Sequence, residues 1–135
     1  MDAVYRVQAA DGRGPWRPGW SQQWIDADAP VGRLSETVMD LLPIATLRAL
    51  PPTMHYGCGC RSLEALLHWF TPLEQERLSR FGFYPVRLHA DAVLAESEWQ
   101  MFVGRSRPFS DGATRLSFPR KLVQAQYGIA VKVVR

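Results

Sequence analysis

The chain has 135 residues, a length that predicts one domain over residues 1–135 with a core of its own. Apolar residues make up 47% and charged residues 21%, as in ordinary globular proteins, and no apolar run approaches the ~20 residues of a membrane span. The N-terminal segment has no basic start followed by an apolar block, so we expect no signal peptide, no membrane partner and a cytoplasmic protein.

The formal net charge of +3 makes the chain mildly basic. Proteins that bind nucleic acid concentrate such charge on one face, whereas the arginines here are scattered along the sequence. Nucleic acid is therefore a disfavoured partner. If it binds at all, we expect it on the two densest basic patches, which contain Arg105, Arg107, Arg115, Arg120 and Lys121.

The first third of the chain predicts a strand, a loop and short helices. Residues 3–8 alternate apolar and polar side chains, which places Val4 and Arg6 on one face of a strand. Glycines, prolines and three tryptophans over residues 11–24 predict an aromatic-rich loop. Ser35 is the expected cap of a helix over residues 36–42, with Glu36 in its first turn, and residues 44–50 add another turn or two.

The central segment HYGCGCRSLEALLHWF begins at His55. Its first residues predict a short strand, the glycines and cysteines at 57–60 predict a tight turn, and Ser62 is expected to cap an apolar helix. His55, Cys58 and Cys60 supply at most three ligands of a four-ligand zinc site. We therefore interpret the cysteines as small packing residues and predict no metal site.

The remaining elements begin with a strong helix signal. Thr71, Pro72 and Glu74 form a capping box with proline at the first helical position, and Gly82 fits the end of that helix. Strands are expected over residues 84–90, 100–105, 113–118 and 129–134, a turn or brief helix over 94–98, and a basic helix over 119–126. The order predicts an α+β fold: one compact domain with a mixed or antiparallel sheet and several short helices.

Two charged side chains stand out as candidates for chemistry. Arg6 is a cation inside an otherwise apolar strand, which suits a phosphate or pyrophosphate clamp, although it could also lie on the polar face of an edge strand. Glu98 precedes a strand, where a carboxylate could act as a base or stabilise a cationic transition state; it could equally be a solvated turn residue. Glu64, Glu74 and Glu76 are expected to face solvent.

Three pieces of the chain occur in an order that resembles the ADP-ribosyltransferase fold and its R-S-E motifs. They are the first strand with Arg6, the strand and helix around Ser62, and the late strand that follows Glu98 and Gln100. The resemblance implies an NAD cofactor held by Arg6 and Ser62, with a catalytic role for Glu98 or Gln100. It also implies that Tyr5 lies in the cofactor site.

His55, which precedes the second motif, is likewise assigned to the cofactor site by this resemblance. The chain departs from the family pattern at two places: it has Cys60-Arg61-Ser62 where the family has S-T-S, and Glu98-Trp99-Gln100 where the family has E-x-E or Q-x-E.

Two functions follow as alternatives. The first is a small NAD-dependent ADP-ribosyltransferase that modifies a host protein. The second is a non-catalytic inhibitor of bacterial defence, anti-CRISPR-like in action, that binds a host protein by surface contact. Small proteins of phages and mobile elements, which the chain also resembles, include such inhibitors, and the tryptophan-rich loop would suit an interface. The sequence leaves the target and the oligomeric state open.

Overall fold

The computed structural model of the protein describes residues 2–16, 20–28 and 36–119. These residues contain six β-strands, four α-helices and one turn of 3-10 helix. The strands are β1 Asp2–Gln8, β2 His55–Gly59, β3 Tyr84–Ala90, β4 Ala92–Glu96, β5 Met101–Arg105 and β6 Thr114–Arg115. The α-helices are α1 Val38–Leu41, α2 Ile44–Arg48, α3 Leu63–Leu67 and α4 Pro72–Arg80, and the 3-10 turn is Ser21–Gln23.

The strands form two three-stranded antiparallel sheets. One sheet has the order β1-β3-β6 and the other the order β2-β5-β4. Strands and short helices do not alternate as they do in parallel βαβ folds. The predicted α+β class is therefore confirmed, with antiparallel sheets.

The two sheets are joined at Tyr5 and Cys60, whose main chains exchange two hydrogen bonds of 2.9 and 2.7 Å. The neighbouring Gly59 lies against β1 so closely that a Cβ there would be 2.9 Å from the Tyr5 carbonyl oxygen and would collide with Cγ1 of Val4. Only glycine permits this approach, because it has no Cβ. The junction brings β1 and β2 side by side at one edge of both sheets.

The prediction of a tight turn at residues 57–60 is wrong. Gly57, Cys58 and Gly59 belong to β2, which pairs with β5 along its whole length. The segment forms a strand despite its turn propensity, because the partner strand β5 supplies a complete hydrogen-bonding ladder. The glycines are needed for close packing. The predicted turn or helix over residues 94–98 is also wrong, since β4 extends to Glu96 and pairs with β5.

The predicted caps of the two central helices are confirmed. The Ser62 hydroxyl accepts a hydrogen bond from the Ala65 amide (3.1 Å), and Thr71 and Glu74 form the complete capping box of α4. Gly82 follows the helix with a φ of +83°. The expectation that Glu74 faces solvent is wrong, because its side chain is fully buried. Its second carboxylate oxygen accepts from the Asp26 amide (2.9 Å), which ties the N-terminal loop to α4.

The predicted helix start at Glu36 is also wrong. Helix α1 begins at Val38 after the cap residue Thr37, so Glu36 precedes the helix and is free to face the interior. Ser35 and the elements predicted beyond residue 119 lie outside the described residues. Within the described chain, none of the helices is long and apolar enough to span a membrane.

The buried apolar residues form two clusters. One fills the space between the sheets and contains Val4, Val86, Leu88, Ala90, Met101, Val103 and Phe109. The other lies between β1, the N-terminal loop and the central helices, and contains Val7, Ala9, Trp24, Cys60, Leu66, Trp69, Phe70, Leu78 and Phe83. Arg6 lies on β1 between members of the two clusters, where a polar residue is unexpected.

Candidate functional site

A cleft of about 1000 Å³ opens beside the junction of β1 and β2. This volume is at the upper end of the range for small-molecule pockets, which are concave, mostly apolar and carry a few fixed polar groups. The polar side chains on its wall are those of Arg6, Arg13, Asp26, Glu36, Thr37 and Gln100. Its aromatic side chains are those of Trp16, Trp69 and Phe70.

Arg6 is held in the cleft through one end of its guanidinium group. Nη1 donates to Oε1 of Gln8 (3.0 Å) and to the carbonyl of Gly12 (3.1 Å). Nε is buried and has no hydrogen-bond partner among the described residues. Nη2 likewise has no hydrogen-bond partner among them. Burial lowers the pKa of Arg6 to about 10, because it removes the charged group from water. A fixed, desolvated cation with unused donors is well suited to an anion.

The guanidinium of Arg6 also rests on the ring of Phe109, 4.2 Å from its centroid. Phe109 lies in a loop that Arg105 holds in place, since its three nitrogens donate to the carbonyls of His89, Pro108 and Asp111 at 2.8–2.9 Å. A Cβ on Gly57 would be 3.1 Å from the Phe109 ring and 3.4 Å from the Arg6 guanidinium carbon. The Gly57 backbone and the Phe109 ring, which Arg105 holds in place, together fix the orientation of the Arg6 side chain.

Glu36 contributes a carboxylate to the same cleft. Its Oε1 accepts from the Ser97 hydroxyl (2.6 Å) and from Nε2 of Gln100 (3.1 Å), and its main-chain carbonyl accepts from the same amide (3.1 Å). The Ser97 oxygen in turn accepts from the amides of Trp99 and Gln100, so the turn between β4 and β5 is internally braced. The described residues give Oε2 of Glu36 no hydrogen-bond partner. One carboxylate oxygen is thus anchored and the other is available as an acceptor.

Cys58 lines the same cleft as the two charged groups. Burial raises the pKa of its thiol to about 11, while Arg6 lowers it and Glu36 raises it by smaller amounts. The thiol stays protonated at neutral pH and is a poor nucleophile there.

The aromatic wall is built from residues of the N-terminal loop and of the turn between α3 and α4. Trp69 Nε1 donates to the carbonyl of Trp99 (3.1 Å), and Trp16 stacks on Phe70 with ring centroids 6.1 Å apart. The loop around Asp26 forms another part of the wall and is held by the buried Glu74. The cleft therefore offers flat apolar surfaces beside its charged groups, as ring-containing ligands require.

The structure brings together some of the residues predicted from sequence. Arg6 and Gln100 both line the cleft. Ser62 is exposed and engaged as the cap of α3, and Glu98 is exposed; neither is among the described residues of the cleft wall. Tyr5 is half-buried and packs against the core cluster that lies between β1, the N-terminal loop and the central helices.

His55, the remaining predicted site residue, is exposed at the start of β2 and is also absent from the cleft wall described here. Sequence reasoning missed Glu36 because the helix signal placed it in the first turn of a helix. It missed Cys58 because the glycines around it suggested a turn. The described residues include no group of three His, Cys, Asp or Glu side chains able to hold a metal ion.

Comparison with family models matches residues 1–107 to the family described as bacteriophage T4 Y00F protein. The matched segment contains Arg6, Glu36, Cys58 and Gln100, and so covers the polar centre of the cleft. Comparison with curated proteins and with solved structures finds no significant similarity. The family match covers most of the chain, and the protein therefore belongs to this bacteriophage protein family.

Proposed function

We propose that the cleft binds NAD and that the protein acts as an ADP-ribosyltransferase-like protein on a host protein. The observation that carries this proposal is the position of Arg6, a half-buried cation in a cleft with aromatic walls. Its buried Nε and its Nη2 have no hydrogen-bond partner among the described residues. A pyrophosphate supplies the anionic oxygens that such a group binds, and the dinucleotide supplies two rings.

The charge environment of Arg6 supports an anionic ligand. Its hydrogen-bond acceptors among the described residues, Gln8 and Gly12, are neutral, and none of the ion pairs between described residues includes it. A second arginine, Arg105, lies on the same Phe109 ring and further lowers the Arg6 pKa. Because both charges are partly desolvated, an incoming phosphate gains more from them than it would at an exposed surface.

The proposed reaction transfers ADP-ribose. The bond between ribose C1′ and the nicotinamide nitrogen breaks, and nicotinamide leaves with the bonding electron pair. An acceptor nucleophile on the host protein forms the new bond to C1′ and releases its proton to solvent water. Gln100 on the cleft wall can donate or accept a hydrogen bond but cannot take up that proton. Glu98, the other residue assigned to catalysis by the motif order, is exposed outside the cleft wall.

Calorimetric titration with NAD tests the binding step. We expect wild-type protein to bind NAD in the micromolar to millimolar range that is usual for metabolite sites. Arg6→Met should abolish binding, whereas Arg80→Met should not, because Arg80 is exposed on α4 and pairs with Glu76. Failure of wild-type protein to bind millimolar NAD would contradict the proposal. Release of nicotinamide, followed by chromatography with and without host lysate, would then distinguish an enzyme from a protein that only binds NAD.

The alternative function is inhibition of a host defence protein by surface contact, without catalysis. It is favoured by one observation: α1 and α2 contain no buried residue, and their side chains Met39 and Ile44 are 61% and 52% exposed. Exposed apolar side chains of this size are frequent in interfaces. A host protein captured without NAD, lost on Met39→Ser with Ile44→Ser and retained by Arg6→Met, would support this function over the first.

A further inference from the structure

We infer that Glu36 is the residue that recognises the ligand's ribose, with its free carboxylate oxygen accepting a hydrogen bond from a ribose hydroxyl next to the phosphate on Arg6. The inference rests on the proposed function, since it takes a nucleotide as the ligand, and it adds a specificity-determining residue that the sequence motifs do not indicate. It replaces Glu98 by Glu36 as the acidic residue of the site.

The geometry of Glu36 is that of a prepared acceptor. Two side-chain donors, Ser97 and Gln100, hold Oε1, and Gln100 also holds the main-chain carbonyl of Glu36. The carboxylate is therefore oriented before any ligand arrives, which reduces the entropy lost on binding. Oε2, without a hydrogen-bond partner among the described residues, is the atom left to meet a ligand.

Arg6 shows the complementary arrangement on the wall of the same cleft. One terminal nitrogen is anchored by Gln8 and Gly12, while Nε and Nη2 have no partner among the described residues. The cleft thus presents one anchored donor and one anchored acceptor. A ligand that fits must carry an anion and, a few bonds away, a hydroxyl donor.

A ribose 5′-phosphate has this combination, because its hydroxyl groups follow the phosphate along the sugar ring. A carboxylate that accepts from ribose hydroxyls is a recurring device in nucleotide sites, and it disfavours ligands that cannot donate. A simple phosphate, or a phosphate ester without hydroxyls, would leave Oε2 without a donor. Ring stacking on Trp16, which is 50% exposed at the cleft wall, would complete the recognition of a nucleotide.

The test compares ADP with 2′,3′-dideoxy-ADP, two ligands that differ only in the ribose hydroxyls, by calorimetric titration. We expect wild-type protein to prefer ADP by about tenfold or more, which is the usual gain from a hydrogen bond to a charged group. Glu36→Gln should reduce this preference below about threefold. Glu98→Gln, the matched control at an exposed glutamate, should retain the full preference.

Each outcome is decisive. An equal preference for ADP in wild-type and Glu36→Gln proteins, with both folded by circular dichroism, would overturn the inference, as would loss of the preference in Glu98→Gln alone. Binding of NAD without binding of ADP would also overturn it, because ADP carries both groups that the inference requires. If neither ligand binds wild-type protein, the proposed function fails and the inference fails with it. Should Glu36→Gln not fold, Ser97→Ala, which frees Oε1 of one anchor, must lower the preference; an unchanged preference would overturn the inference.

Discussion

Two arginines contact the same phenylalanine ring, and their replacement by methionine should affect the stability of the protein differently. Arg6 and Arg105 lie 4.2 and 5.7 Å from the centroid of Phe109. Methionine has a similar length, no charge and good packing properties, so Arg6→Met and Arg105→Met remove the same chemistry at neighbouring places. We expect the first variant to keep its stability and the second to lose it.

The expected magnitude for Arg6→Met follows from terms that nearly cancel. Lowering of the Arg6 pKa to about 10 corresponds to a cost of roughly 3 kcal/mol for keeping the charge buried, and the variant relieves this cost. The variant loses two hydrogen bonds from a charged donor, about 1.5 kcal/mol each at the lower end of their usual range, and a cation–π contact of about 1 kcal/mol. The free energy of unfolding should therefore stay within about 2 kcal/mol of wild type.

Arg105→Met has no such compensation. Arg105 is only 1% exposed and its three donors satisfy three main-chain carbonyls, which the variant would leave without their donor. At about 1–3 kcal/mol for each buried unsatisfied group, we expect a loss of about 3 kcal/mol or more. Urea unfolding followed by tryptophan fluorescence measures both values. A loss for Arg6→Met as large as that for Arg105→Met would refute the view that Arg6 is retained for binding rather than for folding.

Three further predictions concern the elements around the cleft. Gly59→Ala should lower stability by about 2–4 kcal/mol in urea unfolding, because a Cβ would press on Tyr5 and break the junction between the sheets. Glu74→Gln should cost about 2 kcal/mol in the same assay and weaken NAD binding, because one acceptor for the Asp26 amide or the helix cap becomes a donor. Because the folded protein keeps the Cys58 thiol protonated up to a pKa of about 11, stability should fall as the pH rises above the ordinary thiol pKa, and Cys58→Ser should reduce this fall.

Matched variants make these predictions specific. Gly104→Ala is the control for Gly59→Ala, since a Cβ there would meet only side chains, Met54 at 3.1 Å and the Tyr56 ring at 3.3 Å, and it should cost less than Gly59→Ala. Glu76→Gln, at an exposed position of α4, is the control for Glu74→Gln and should be nearly neutral. Equal losses within either pair would contradict the packing or burial argument. A Cys58→Ser protein with an unchanged stability profile above pH 9 would contradict the effect of burial on the thiol.

Local signals predicted the parts of the fold that depend on neighbouring residues. The capping box at Thr71, the Ser62 cap and the end of α4 at Gly82 all follow from side chain to backbone contacts within one turn. The strand with Arg6 was predicted from alternation of apolar residues, and the two sheets confirm the α+β class. Such features can be predicted because a few adjacent residues determine them.

Features that depend on distant partners could not be predicted. Strand β2 forms through Gly57, Cys58 and Gly59 because β5 pairs with it, although glycine-rich segments favour turns. Glu74 is buried because the Asp26 amide needs an acceptor, and no local pattern shows this partner. Glu36 joins the cleft for the same kind of reason: its partners Ser97 and Gln100 lie some sixty residues away in the chain.

The candidate site was therefore predicted in part. The chemical reasoning that selected Arg6, an unpaired cation in an apolar strand, requires no knowledge of distant contacts, and the side chain does lie in the cleft. Gln100 entered through the order of motifs, and it too lines the cleft. The acidic residue of the cleft wall comes from a different element than the motif order suggests, which only the three-dimensional contacts reveal.

Titration of wild-type protein and Arg6→Met with NAD, each checked for unchanged secondary structure, tests the central claim most directly. We expect saturable binding of NAD to wild-type protein and loss of this binding in Arg6→Met, with its stability retained. Absence of binding to wild-type protein, or undiminished binding to the variant, would contradict the claim that Arg6 forms the anion site of a nucleotide-binding cleft.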